Sequence, residues 1–308
     1  MRSPVHLGRD TWHLAWDASI PPVAEVGSGE IVTFDVLDAS NGQITPASVA
    51  ADLPGIDIAT VDQVAGPIAV AGAEPGDTLE IEILEVAPAD WGWTAVIPGF
   101  GLLADDFPVP HLRISRIDAT HAEPIPGIRI PLAPFCGELG VASPGPARST
   151  IPPTESGGNL DTRHLTAGSR LWLPVSVPGA LFSLGDGHAA QGDGEVCGTA
   201  IETPVRGRVR LTVRKDLRVA GPELETAGPL GVSTNTDGWF ATDGVGPDLH
   251  EAARSAVRRM IDRLGARCGL PPEDAYLLIS VAGDLRISEI CDAPNWVVGC
   301  YLPRSVIR

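Results

Sequence analysis

The residues most able to do chemistry lie in one short run. Gly185-Asp186-Gly187-His188-Ala189-Ala190-Gln191-Gly192-Asp193-Gly194-Glu195 puts four glycines, two aspartates, one histidine and one glutamate into eleven positions. Short acids and an imidazole are the oxygen and nitrogen donors a divalent cation needs, and glycines let the backbone come close to a bound group. A second cluster, Ser156-Gly157-Gly158-Asn159-Leu160-Asp161, lies about 30 residues upstream. A single Asp-Gly pair is an ordinary hairpin turn, and a lone histidine is an ordinary core or surface residue. A turn needs one or two such residues, so the whole series points to a site.

Other motifs fit this run poorly. Gly185-x-Gly187-x-x-Ala190 has the glycine spacing of a dinucleotide fingerprint, but Gly192 and Gly194 would break the helix that fingerprint must open. A calcium loop starting at Asp186 has Gln191 where glycine is required and Cys197 where the closing glutamate belongs. The sequence has no HExxH, P-loop or GxSxG elbow.

The elements that must hold this run read mainly as strands. Leu79, Ile81 and Ile83 alternate with acids, Leu171 to Val177 repeats the alternation, and Val209, Leu211 and Val213 interleave with Arg208, Arg210 and Arg214. Those arginines are expected to form the solvated face of one strand. The stretches Gly29–Asp38 and Gly76–Glu85 resemble each other, as two hairpins of one sandwich would. One helix is predicted from about Pro247 to Leu264, ended by Gly265 and Gly269, and a shorter one from Pro272 to Ser280. Strands Asp284–Cys291 and Trp296–Leu302 close the chain, and Ser143–Pro153 reads as the longest loop. With 35 glycines and 29 prolines, a β-rich fold is expected.

A net charge of −17 over 308 residues argues against nucleic acid or an anionic membrane as partner and favours a neutral substrate or a bound cation. The five cysteines, Cys136, Cys197, Cys268, Cys291 and Cys300, are scattered and odd in number, which suits free thiols in a reducing compartment. There is no signal-like apolar core at the N-terminus and no apolar stretch long enough for a membrane span, so a cytoplasmic protein is expected.

The block from Gly157 to Glu202 resembles the signature region of the acetamidase/formamidase family. The segments starting at His13, Leu37, Gly66, Pro134 and Tyr276 resemble that family as well. The resemblance implies a mainly β fold: a β-sandwich with a barrel-like portion and a C-terminal α+β portion. Residues 1–240 would form the metal-binding catalytic region and 241–308 the α+β portion packed on it. It also implies hydrolysis of formamide, acetamide or related amides and lactams, and often zinc or calcium. Leu160 and His164 depart from the family's usual Met and acid; His164 adds a possible ligand.

Amide hydrolysis needs an activated nucleophile, a stabilised oxyanion and a protonated nitrogen; a divalent ion lowers the pKa of water from about 15.7 to about 7 and polarises the carbonyl. His188 and Asp161 are the expected ligands, with Asp186 or Asp193 completing the set. Zinc is preferred over calcium because of the imidazole. Glu195 or Glu138 is the expected general base. His13 and Asn159 are candidate substrate contacts, and the partner is a small neutral amide. A homodimer or larger homo-oligomer is expected. Two rivals remain: an amidase using Cys136 or Cys197 as nucleophile, and a non-enzymatic calcium- or carbohydrate-binding β module. Lys215, the one lysine, sits at an ordinary exposed strand end and does not complete a Glu–Lys–Cys triad.

Overall fold

The computed structural model describes residues 5–230 and 237–307. The alternating segments become neighbours in one six-stranded sheet, in the order Val5–Leu7, Glu30–Val36, Val205–Arg214, Thr78–Pro88, Arg170–Pro174 and Glu223–Glu225. The first pair is parallel and the rest antiparallel. The two look-alike units therefore flank the same central strand. Its arginines lie on the outer face, where Arg208 pairs with Glu85, Arg210 with Glu82, and Arg214 with Glu80. Such exposed pairs contribute little stability and mainly keep that face solvated.

A second six-membered sheet runs Gly157–Asn159, Phe135–Val141, Phe182–His188, Val64–Val70 and Trp12–His13, with Ala24–Val26 pairing parallel to Val64–Val70. Leu79, Ile81, Leu171 and Leu211 of the first sheet pack with Leu139, Val141, Phe182 and Leu184 of the second in one buried core. Each such side chain contributes roughly 1.5–3 kcal/mol when fully buried. Period-two patterning marks the first sheet, whereas Val64–Val70, Phe135–Val141 and Phe182–His188 of the second are buried along their whole length.

Beside the sandwich stands a four-stranded antiparallel meander, Trp91–Val96, His111–Ile117, His121–Ile125 and Ile128–Pro131. It shares a second core with the C-terminal part: Ile117 and Ile130 lie in the same cluster as Val257, Met260, Leu278 and Leu302. The C-terminal part consists of the helices Leu249–Cys268 and Pro272–Ala282 and a sheet ordered Trp239–Gly246, Trp296–Pro303, Asp284–Glu289. The first helix starts at Asp248, whose carboxylate accepts from Glu251 N, and runs past the expected stop at Gly265. An interior glycine weakens a helix by only about 1 kcal/mol. The true end is Gly269, whose φ of 67° is the left-handed cap. No helix among the described residues is long and apolar enough to cross a membrane.

The second helix is anchored through Asp274, which accepts from Arg113 Nε and Nη2 at 2.7 and 2.6 Å and lies 2.8 Å from His111 Nε2. Burial alone would raise its pKa, but the Arg113 and His111 contacts overcome this and hold it below the ordinary 3.8. A depressed folded-state pKa stabilises above the unfolded value and loses that contribution as pH falls through the folded one. Asp274→Asn should therefore lose about 2 kcal/mol at pH 7, and the gap to the parent should close below the ordinary aspartate range. Denaturant melts at several pH values check this; a gap that does not vary with pH refutes it.

Candidate active site

The run from Gly185 to Glu195 passes from one core to the other. Leu184 belongs to the sandwich core and Ala189 and Ala190 to the second one, so His188 lies at their junction, fully buried. His188 Nε2 stands 3.0 Å from Asp186 Oδ2, 3.0 Å from Glu202 Oε2 and 3.9 Å from Glu195 Oε1. On the opposite edge of the ring, Nδ1 is 2.9 Å from Gln191 Oε1, and Gln191 Nε2 donates to the Asp161 carbonyl at 2.8 Å. Gln191 thereby sets the ring's orientation and ties it to the second acidic segment.

Asp161 arrives from the turn after Gly157–Asn159, its backbone N–H donating to Gly137 O. Glycine is required at 137 because of close approach: a methyl group there would overlap Asp186 Oδ2 and Asp161 Oδ1. Glu138, on the same strand, pairs in register with Asn159 on one side and Gly185 on the other. It is fully buried. Asp161, Asp186, Glu195 and Asp62 all have left-handed backbones, with φ of 44°, 54°, 41° and 54°.

Charge is unbalanced here. Six carboxylates, those of Asp62, Glu138, Asp161, Asp186, Glu195 and Glu202, influence one another or the single imidazole. Burial, then the neighbouring Asp186 charge, pushes Asp161 and Asp62 up to about 7. Burial likewise takes Glu202 to about 8 and moves Glu138 and Glu195 well above the glutamate range. Asp186 goes the other way: burial would raise it, but His188 holds it low. Burial disfavours the imidazolium at His188, yet Asp186 and Glu202 outweigh it and raise that pKa well above 6.5.

These residues fit a divalent cation. One donor atom from each of Asp161, Asp186 and His188 lies within 4.8 Å of the others, and the same holds for His188, Glu195 and Glu202. Asp161 Oδ1, Asp186 Oδ1, His188 Nε2, Glu202 Oε2 and both Glu138 oxygens are buried without a hydrogen-bond partner. The 3.0 Å approaches to Nε2 are short but out of line for hydrogen bonding. Buried polar atoms normally find partners. Converging donors without them are what a cation's ligands look like.

Of the residues expected from the sequence, Asp161, Asp186, His188, Glu195 and Glu138 gather here. Asp193 does not. It lies 3.4 Å from Arg163 Nε and 3.5 Å from His164 Nε2, and its backbone N–H donates to Asp284. His164 accordingly faces Asp193 and not His188. Asn159 borders the centre, with its Oδ1 buried and unpartnered. His13 pairs with Val64 in the same sheet, its Nε2 is 2.8 Å from Ser183 Oγ, and burial lowers its pKa to about 4, so it is neutral. Sequence reasoning passed over Glu202, Asp62 and Gln191. Glu202 had a faint signal, an acid closing the apolar Ala200-Ile201 pair at the end of the signature block; Asp62 had none.

The cysteines are poor nucleophiles. Burial pushes Cys136 up to about 12 and Cys197 up to about 11, so both stay protonated at neutral pH. Lys215 pairs with Asp77 at 2.7 Å on the surface.

The model of the acetamidase/formamidase family matches residues 2–149 and 144–308. An acetamidase of Mycolicibacterium smegmatis is 28% identical over 100% of this chain and 92% of its own length. A formamidase of Methylophilus methylotrophus is 27% identical over 96% and 89%. Among solved structures, a gamma lactamase from Delftia acidovorans superposes with a TM-score of 0.90 at 25% identity, covering 96% of this chain and 89% of that one. An acetamidase from Bacillus halodurans gives 0.70 at 33% identity, covering 97% of each chain.

Proposed function

The chain belongs to the acetamidase/formamidase family, and from that premise we propose that it hydrolyses a small neutral amide at the His188 centre, releasing a carboxylate and ammonia. It is a hydrolase of carbon–nitrogen bonds in linear amides, which sets aside the non-enzymatic binding module. The observation that carries the metal-dependent reading is the convergence of Asp186, Glu202 and Glu195 on His188 Nε2 without hydrogen-bond alignment.

His188, Asp186, Asp161 and Glu202 would hold the cation, with zinc preferred to calcium because an imidazole nitrogen is in the donor set. Bound there, a divalent cation supplies Lewis acidity, making water a stronger acid and polarising a carbonyl. The chain's own residues do the rest. Glu195 keeps a 16% exposed side chain, so it can exchange protons with solvent. Its raised pKa suits a group that takes a proton from the attacking water and returns it to the leaving nitrogen. Glu138, wholly buried and driven toward its neutral form, would serve as a second proton donor at the centre. Asn159 Oδ1 is an unused acceptor suited to an amide N–H. Neutral His13, held by Ser183, lines the same sheet without adding charge.

Exhaustive chelation should remove the metal and lower ammonia release from acetamide or formamide at least about 10²-fold, with recovery on adding zinc. Full activity in protein shown by elemental analysis to be metal-free would overturn the metal-dependent reading. A second reading, opening of a lactam, is suggested by the likeness to the gamma lactamase over 96% of this chain. A panel that includes γ-butyrolactam separates the two.

A further inference from the structure

Gln191 meets the His188 ring on the edge turned away from the acids. Its side-chain oxygen lies 2.9 Å from Nδ1, and its side-chain nitrogen donates to the Asp161 carbonyl at 2.8 Å. A backbone carbonyl only accepts, so the amide must turn its NH2 toward Asp161 and its oxygen toward the ring. Nδ1 therefore donates to Gln191 Oε1, and Nε2 is left facing Asp186, Glu202 and Glu195. The in-plane axis of Nε2 points at neither of the two carboxylate oxygens 3.0 Å away. A lone pair on that axis is free for a cation.

Gln191 can impose this because it is itself held. It is 4% exposed, and its carbonyl accepts from Arg163 Nη1 at 3.0 Å. On one side Ala190 O accepts from Ile201 N, and on the other Gly192 N donates to Ser280 O. Gly192 lies so close to the end of the second helix that a methyl group there would overlap Gly283 O. Phe135 packs edge-on against the imidazole, with ring centres 5.0 Å apart, and limits its rotation.

We propose that Gln191 is a positioning residue that sets the metal preference of the centre. By holding the His188 proton on Nδ1, it keeps a nitrogen donor among the carboxylates. The inference rests on the metal-dependent reading above and adds what makes that site choose. With the imidazole presented, the donor set mixes nitrogen and oxygen and suits zinc; without it, the carboxylates left behind suit calcium. Hydrogen-bond partners of ligating histidines commonly alter metal affinity by about 10–100-fold. Selectivity thus originates in a residue outside the donor set.

Titrating the metal-stripped, full-length protein with zinc alone and with calcium alone tests this, with a thermal melt of each variant. Gln191→Leu removes the acceptor at similar size and should weaken zinc at least about tenfold, with calcium binding no weaker than the parent's. Gln191→Glu keeps an oxygen toward Nδ1 and should hold zinc affinity within about threefold of the parent. Parental zinc affinity in Gln191→Leu overturns the proposal, and so does an equal loss of zinc and calcium, the mark of a structural lesion. If Gln191→Glu fails as badly as Gln191→Leu, the bridge to Asp161 and not the acceptor at the ring is what matters, and the proposal falls. Should the leucine variant not fold, nitrogen NMR of histidine-labelled parent decides. The histidine signal that shifts on zinc addition must keep its proton on Nδ1, and a metal-bound Nδ1 refutes the proposal. A parent that takes up no zinc sinks the metal-dependent reading and this inference with it. Normal zinc uptake by the parent, with any of the contrary results above, counts against Gln191 alone.

Discussion

Replacing His188 with alanine should lower kcat/KM for amide hydrolysis at least about 10³-fold, roughly 4 kcal/mol of transition-state stabilisation, and should strip the bound metal. The substitution removes the one nitrogen donor in both groups of converging ligands. It also removes the group that holds Asp186 ionised against its burial. Without the imidazole, Asp186 and Glu202 remain buried next to each other with no positive partner, and breaking such an arrangement typically destabilises by about 3–5 kcal/mol. Kinetics, elemental analysis and thermal melts should therefore all move. A variant that keeps stoichiometric metal and near-parent turnover would show that the cation sits elsewhere.

Gly137→Ala should damage the centre while sparing the fold. The added methyl meets only the carboxylate ends of Asp186 and Asp161 at close range, so these two must move apart to admit it. Position 137 lies within an extended strand and is not among the glycines with positive φ, so the backbone tolerates alanine. The expected result is about a 10–100-fold loss in metal affinity or rate, with a melting temperature within a few degrees of the parent. Unchanged metal affinity would mean that Asp161 and Asp186 do not act on a common ion.

Much of this was legible in the amino-acid sequence, for physical reasons that also mark where legibility stops. Alternation in Thr78–Pro88 and Val205–Arg214 exposes which face each strand buries, so the first sheet could be anticipated, while the sandwich as a whole rested on the family resemblance. Asp186, His188 and Glu195 could be picked out because they are local to one glycine-rich run. Glu202 and Asp62 could not. Glu202 reaches His188 through one isolated bridge and Trp93 through another, and Asp62 enters from the bend before Val64–Val70; both approaches exist only once sheets have paired. Asp193 misled because proximity along a chain is not convergence in space. The run turns into the second core after His188, and that turn delivers Asp193 to Arg163. The strand Trp239–Gly246 was missed because only its partner, Trp296–Pro303, supplies the register that makes it one.

The left-handed backbone at the centre has an evolutionary consequence. Four of the seven described non-glycine residues with positive φ are acids of this site, and each such residue is disfavoured by roughly 1–2 kcal/mol. Glycine at position 161, 186 or 195 would relieve that strain and one buried charge together. Selection for heat tolerance alone should therefore erode these positions first, giving sturdier and inert descendants. A library screened only for survival of heating, then sequenced, would reveal this drift; enrichment of the parental acids under such a screen would contradict it.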